Sequence, residues 1–181
     1  MTTALLIIDM QMDMALRTAR GVDRANPEAE ERVAELLALF RARGLPVIHV
    51  HHDEPGMSAA AGDANAAPMP CALPLPGEAV FVKHGSSAFS GTGLEAHLKA
   101  EGIDRLAVAG AVATFCVNSS VRAAADLGYP VLLAGDALIG FDLRRADRSR
   151  IPAQTVLDVT LAALGADFAR VMPTAEIAAA L

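Results

Sequence analysis

Leu106-Ala107-Val108-Ala109-Gly110-Ala111-Val112-Ala113-Thr114-Phe115-Cys116-Val117 passes from a short apolar run into the start of a helical pattern. The uninterrupted Leu106–Ala109 reads as a strand buried on both faces, as in a parallel sheet. The residues from Phe115 to Leu127 read as a helix. A strand feeding a helix through a short turn is the repeating unit of an α/β fold, and Cys116 stands at that junction. A thiol so placed faces the first N–H groups of a helix, which lack intrahelical acceptors and are expected to lower a cysteine pKa.

The same alternation extends in both directions. Ala4–Ile8, Val47–Val50, Ala79–Val82, Val131–Ala134 and Phe168–Met172 read as further short strands. Asn26-Pro27 predicts a helix running to about Arg43, with Asn26 as cap, Pro27 at the first helical position and Gly44-Leu45-Pro46 as the stop. Other helices are predicted from about Thr92 to Glu101, over Pro152–Leu164, and over Thr174–Leu181 with Thr174 as cap. This order predicts a three-layer α/β/α fold around a mainly parallel, six-stranded, Rossmann-like sheet, as one domain over residues 1–181. From Asp53 to Gly77 the chain is rich in Ala, Pro and Gly without periodicity. So long a connection predicts a lid, a partner-contacting excursion or a mobile segment.

Apolar residues make up 53% of the chain and the mean hydropathy is +0.37. No apolar run approaches the roughly 20 residues that span a bilayer, so no membrane partner is expected. A net charge of −6 with 4% aromatic residues argues against nucleic-acid binding, which needs cations for phosphates and rings for bases. Met1-Thr2-Thr3 leads straight into a strand without a charged leader, and Cys71 with Cys116 makes no disulfide framework. Cytoplasmic residence is therefore expected.

Parallel sheets bind ligands outside the carboxyl ends of their strands. Asp9 follows the first strand, Lys83 follows the third, and Cys116 follows the fourth. The chain has only two lysines, Lys83 and Lys99, so one at the end of a buried strand stands out. Each residue also has a plain structural role open to it: a turn cap for Asp9, a snorkelling cation for Lys83, a small core residue for Cys116. An acid, a cation and a thiol at three strand ends together favour a site.

With these residues in place, the chain resembles the isochorismatase-like cysteine hydrolases, which include nicotinamidases, carbamoylsarcosine amidases and isochorismatases. Leu6-Ile7-Ile8-Asp9-Met10-Gln11-Met12-Asp13 is similar to the family's opening strand and its Asp-Met-Gln signature. Val82-Lys83-His84-Gly85-Ser86-Ser87-Ala88-Phe89, with Thr92 and Leu94, is similar to the lysine motif. Gly110 through Ala125, then Leu127-Gly128-Tyr129 and Gly135-Asp136-Ala137, resembles the cysteine motif and the strand after it. Phe168–Ile177 resembles the closing segment. The resemblance implies a catalytic triad of Asp9, Lys83 and Cys116, and a cis peptide at Ala111-Val112. It also implies an oxyanion hole formed by the amides of Val112 and Cys116. Two departures bear on pocket shape: Met14 replaces an aromatic residue common after Asp-Met-Gln, and Ala113-Thr114 shifts a threonine usually found three residues before the cysteine.

Gln11, His52, Phe89 and Phe115 are expected around the substrate, with core packing the other role open to the two phenylalanines. His49, His51, His52 and Asp53 raise a metal site. The nicotinamidase branch holds a metal there with an Asp and two His, but its Asp-Trp-His-Pro pattern is absent. His51-His52-Asp53 resembles the metal-free hydrolases, so no metal or other cofactor is expected. His49 and His51 share one strand face and His52 takes the other. Cys71 is expected to be a bystander, Ser86-Ser87 and Ser119-Ser120 to serve turns and helix starts, and the Arg144–Arg150 charge run to be solvated. The expected activity is cysteine-dependent cleavage of a C–N bond in a small amide, ureide or carbamoyl compound, through a thioester, by a homo-oligomer. Vinyl ether hydrolysis of the isochorismatase type, thiol redox chemistry on Cys116 and a non-enzymatic interaction role are the alternatives.

Overall fold

A computed structural model describes residues 1–181. The strands are β1 (Thr3–Ile8), β2 (Arg24–Ala25), β3 (Val47–His52), β4 (Ala79–Lys83), β5 (Arg105–Ala111), β6 (Val131–Phe141), β7 (Leu143–Arg144), β8 (Arg150–Ile151) and β9 (Arg170–Met172). The helices are α1 (Met12–Ala19), α2 (Ala29–Ala42), α3 (Leu94–Ala100), α4 (Asn118–Asp126), α5 (Ala153–Asp167) and α6 (Thr174–Ala180), with a π-helical turn over Ala113–Val117. Strands β4, β3, β1, β5 and β6 pair in that order, all parallel, and β9 adds a sixth parallel strand beside the start of β6. The two-residue β2 runs antiparallel against the far end of β6, while β7 and β8 form a separate hairpin. No helix is long and apolar enough to cross a membrane.

Helices cover both faces, which is why all six residues of β1 are buried. Leu5 and Ile7 pack toward Val33, Leu36, Leu37 and Phe40 of α2 and Ile177 of α6. Ala4, Leu6 and Ile8 belong to the opposite core, with Leu94 and Leu98 of α3, Val121 of α4 and Leu157 and Leu164 of α5. The buried set of α2, Ala29, Val33, Leu36, Leu37 and Phe40, is the stripe that a 3.6-residue period places on one side. Strand order reverses direction at β1, whose neighbours are β3 on one side and β5 on the other. That crevice, at the carboxyl ends of β1 and β5, is where open α/β sheets hold ligands. Gly110 allows the close approach there: at φ +126°, a Cβ would fall 2.0 Å from the Ile8 carbonyl oxygen.

Several elements differ from the sequence expectation, each for an identifiable reason. β3 continues past Val50 to His52 because His51 and His52 pair with Val82 and Lys83 of β4. β6 continues past Ala134 to Phe141. Its register with β5 jumps between Val108↔Leu133 and Gly110↔Leu138, so Gly135-Asp136-Ala137 is a bulge rather than a strand end. α1 was not expected from the sequence; Met14 is its one fully buried residue, with Met12 and Ala15 packed half-buried against the same core.

Asn26 is not a helix cap. It takes φ 52°, and its side-chain amide donates to Gly135 O at 2.8 Å and Leu138 O at 2.9 Å, fastening the β6 bulge, while α2 starts later, at Ala29. Thr174 is the first residue of α6, not its cap; Asp136 caps that helix by accepting from the Thr174 N–H and hydroxyl, both at 2.8 Å. The 53–77 segment is sewn to the β1–α1 connection rather than loose. Met12 N donates to Ala67 O and Met69 N to Met10 O, both at 2.8 Å, and Met57, Ala66, Met69 and Ala72 are buried.

Candidate active site

The end of β1 turns sharply at Asp9, which takes φ 49°, a left-handed conformation that Asp tolerates better than most residues. Asp9 is buried, 3% exposed, and Lys83 at the end of β4 is wholly buried. Lys83 Nζ lies 2.8 Å from Asp9 Oδ2 and 3.2 Å from Cys116 Sγ. Residues 9, 83 and 116, far apart in the chain, thus meet around one ammonium group. Asp9 Oδ1 has no hydrogen-bond partner, leaving a buried acceptor free on the carboxylate.

Two further groups reach Lys83. His52 Nδ1 is 3.0 Å from Nζ and the Gly85 carbonyl oxygen is 3.2 Å away. Nζ therefore has three hydrogens to donate and four acceptors around it. Ligand-type atoms of Asp9, His52 and Cys116 lie within 4.8 Å of one another, as metal ligands would. The ammonium of Lys83 already stands among them as the cation.

Burial pushes the Asp9 carboxyl above its usual range, with Lys83 opposing. Burial, and then the Asp9 charge, push the Cys116 thiol up to about 11. This corrects the expectation of a helix-lowered thiol. Cys116 is the fourth residue of the π-helical turn rather than the first of an α-helix, and a carboxylate adjoins its sulfur. The resting thiol is protonated, and the carboxylate beside it is a stronger base than a solvated one.

The Ala111-Val112 peptide is cis, and the Val112 N–H donates to no backbone carbonyl. Ser120 holds the turn: its hydroxyl donates to Cys116 O at 2.6 Å and accepts from Ala88 N at 2.8 Å, joining it to the loop after β4.

Of the residues expected around the substrate, Phe115 is 49% exposed beside Cys116 and His52 reaches Lys83. Gln11 does not line a pocket. It is 1% exposed, its amide donates to His52 O at 2.9 Å and Ala66 O at 3.0 Å, and its oxygen accepts from His52 N at 2.8 Å. Phe89 stacks on Tyr129, with ring centres 6.3 Å apart, as part of the core packing. His49 is wholly buried against Glu78, His51 is held neutral by burial, and Asp53 accepts from the Ser58 hydroxyl, so these three do not join His52. Burial pushes the Cys71 thiol up to about 11. Glu54, which lies 3.3 Å from His52 Nε2, and Gly85, which acts through its carbonyl, carried no signal in the sequence.

The comparisons with known proteins agree with one another. A family model described as the isochorismatase domain matches residues 3–162. The isochorismatase family protein YddQ of Bacillus subtilis is 35% identical over 178 residues, covering 96% of this chain and 97% of its own. Streptothricin hydrolase of Streptomyces noursei is 34% identical over 149 residues, which are 79% of this chain and 51% of that protein. A solved structure of an isochorismatase-family protein from Chromobacterium violaceum is 41% identical with a TM-score of 0.91, covering 99% of this chain and 93% of the other.

Proposed function

The chain belongs to the isochorismatase family of hydrolases, and from that premise we propose that it cleaves a C–N bond of a small amide, ureide or carbamoyl compound through a thioester on Cys116. The observation that carries this reading is the position of Lys83 Nζ, 2.8 Å from Asp9 Oδ2 and 3.2 Å from Cys116 Sγ, with Asp9 Oδ1 left as a free buried acceptor. Similarity to a streptothricin hydrolase supports hydrolysis of a small molecule.

In this mechanism Asp9 takes the thiol proton as the sulfur attacks the carbonyl carbon. The negative charge moves from Asp9 to sulfur while Lys83 stays beside both, so the buried site keeps the same net charge and avoids a large desolvation cost. The oxyanion is held by the Val112 and Cys116 amides, worth roughly 2.7–4 kcal/mol per donor in comparable sites. The Val112 N–H, without a backbone acceptor of its own, suits that role. Protonated Asp9 then gives its proton to the departing amine, and the C–N bond breaks. A water, deprotonated by Asp9, attacks the thioester; the acid leaves and the proton returns to sulfur. No cofactor enters these steps. The enzyme acts in the cytoplasm as a homo-oligomer, and Val80 and Val82, exposed on the outermost strand, are apolar surface that self-association would cover.

Incubation with a panel of small amides, ureides and carbamoyl compounds, followed by intact mass and peptide mapping, is expected to trap an acyl group on Cys116. Cys116→Ala is expected to remove turnover and leave the fold intact; hydrolysis persisting in that variant would sink the thioester route. Vinyl ether hydrolysis is the second reading, because the raised Asp9 pKa also suits a proton donor. It needs no thiol, so ether cleavage surviving Cys116→Ala would select it.

A further inference from the structure

We infer that His52 is a positioning residue that, with the Gly85 carbonyl, pins the Lys83 ammonium so that one N–H is left to alternate between Asp9 and Cys116. The inference rests on the mechanism proposed above and adds to it a residue outside the triad.

An ammonium only donates, so the His52 Nδ1 at 3.0 Å from Nζ must be the unprotonated ring nitrogen. The proton then sits on Nε2, and Glu54 Oε2, 3.3 Å away, is there to accept it. Glu54 thus selects the tautomer that leaves Nδ1 open to Lys83. The His52 backbone is held from both sides by Gln11, whose oxygen accepts from His52 N at 2.8 Å and whose amide donates to His52 O at 2.9 Å. Gln11 and Glu54 therefore fix the ring in place and in tautomer.

Lys83 has three hydrogens for four acceptors. All four acceptors lie within reach of Nζ, the Cys116 sulfur included at 3.2 Å and Asp9 Oδ2 as an ion-pair partner at 2.8 Å. A neutral thiol is the poorest of them, so at rest the three hydrogens favour Asp9, His52 and Gly85 O. When the proton moves from sulfur to Asp9, the carboxyl gives up its claim and the thiolate gains one. The same N–H turns from oxygen to sulfur while the other two stay bound. Two fixed acceptors make the ammonium a pivot; without His52, a hydrogen is free to settle on sulfur before substrate arrives.

The test uses a Cys71→Ser background so that Cys116 is the single thiol, with His52→Leu, His52→Asn and Glu54→Ala. Asn offers an oxygen near the Nδ1 position, whereas Leu offers no acceptor. Without any substrate, iodoacetamide alkylation of Cys116 is followed by intact mass across pH. The pH midpoint is expected to fall in His52→Leu, giving about tenfold faster alkylation at pH 8, the size of one charge-assisted hydrogen bond. His52→Asn should overlay the parent, and Glu54→Ala should shift the same way by less. On a substrate that turns over, His52→Leu is expected to lower kcat about tenfold or more with little change in KM, and His52→Asn to restore it.

A parent-like titration in His52→Leu, equal effects of Leu and Asn, or a change confined to KM would overturn the positioning role. Should His52→Leu fail to fold, the exposed Glu54→Ala decides by its alkylation shift. Should no amide be hydrolysed, the proposed reaction fails while alkylation still decides the role of His52.

Discussion

At the scale of single residues, the site depends on where one proton rests. Asp9 and Cys116 are both shifted toward holding protons, mainly by burial, and Lys83 offsets part of the cost for whichever of them is charged. Asp9 contributes to the thiol's high pKa chiefly through its charge. Asp9→Asn removes that charge while leaving Lys83 beside the sulfur. The variant is expected to lose hydrolysis and yet to be alkylated at Cys116 faster than the parent at pH 8, because its thiol titrates below about 11. A rate equal to or below the parent's would show that Asp9 does not hold the thiol protonated. The expected result separates nucleophile reactivity from catalytic competence: the thiolate would be easier to form, but no acid would remain to protonate the departing amine.

At the scale of elements, the junctions between strands are held by polar groups. Glu78, just before β4, accepts from Arg41 of α2 at 2.7 and 2.9 Å, from Leu75 N at 2.8 Å, and meets His49 of β3 at 2.9 Å. These partners hold its carboxyl at about 2 against a usual 4.5. A carboxyl whose folded pKa is depressed adds stability that is present above its unfolded value and lost as pH falls through the folded one. Glu78→Gln is therefore expected to cost about 2–3 kcal/mol at pH 7 in urea unfolding. The difference from the parent should shrink between pH 4.5 and 2. A gap that stays constant over that window would mean the carboxylate charge contributes nothing. The other ties, Asn26 on the β6 bulge and Asp136 on α6, likewise join parts of the chain remote in sequence.

At the scale of the whole molecule, the site exists only where the complete sheet brings four segments together. Asp9 follows β1, His52 ends β3, Lys83 ends β4, and Cys116 follows β5, so strand pairings across about a hundred residues must form first. The thiol's folded value of about 11 against a usual 9.0 gives a probe of that assembly. At pH 8 the thiolate fraction, and hence alkylation of Cys116, is expected to rise about a hundredfold on unfolding. Because the shift requires the assembled sheet, the rise should coincide with loss of far-UV circular dichroism along a urea titration. Alkylation that rises well before the sheet melts would mean that the site loosens as a unit of its own.

The strand–helix alternation, the parallel sheet and the placing of Asp9, Lys83 and Cys116 just after strands were legible from the sequence because they rest on local patterns: apolar runs, helix periodicity, and reactive residues at strand ends. Motif resemblance assigned roles to Asp9, Lys83 and Cys116 before any geometry was known. Residues that act at a distance were not legible. Gln11 looks like a signature residue beside a substrate, yet it clamps His52; Asn26 looks like a cap, yet it fastens a bulge more than a hundred residues away. The direction of the thiol's pKa could not be taken from its place at a junction either, because burial and the proximity of a carboxylate are properties of the folded chain. Sequence by itself determined the six parallel strands, most of the helices between them and the chemical groups at the strand ends. The tertiary structure alone decided which of those groups meet, how many acceptors crowd Lys83, and where the proton rests, since distance and desolvation arise only when remote segments pack together.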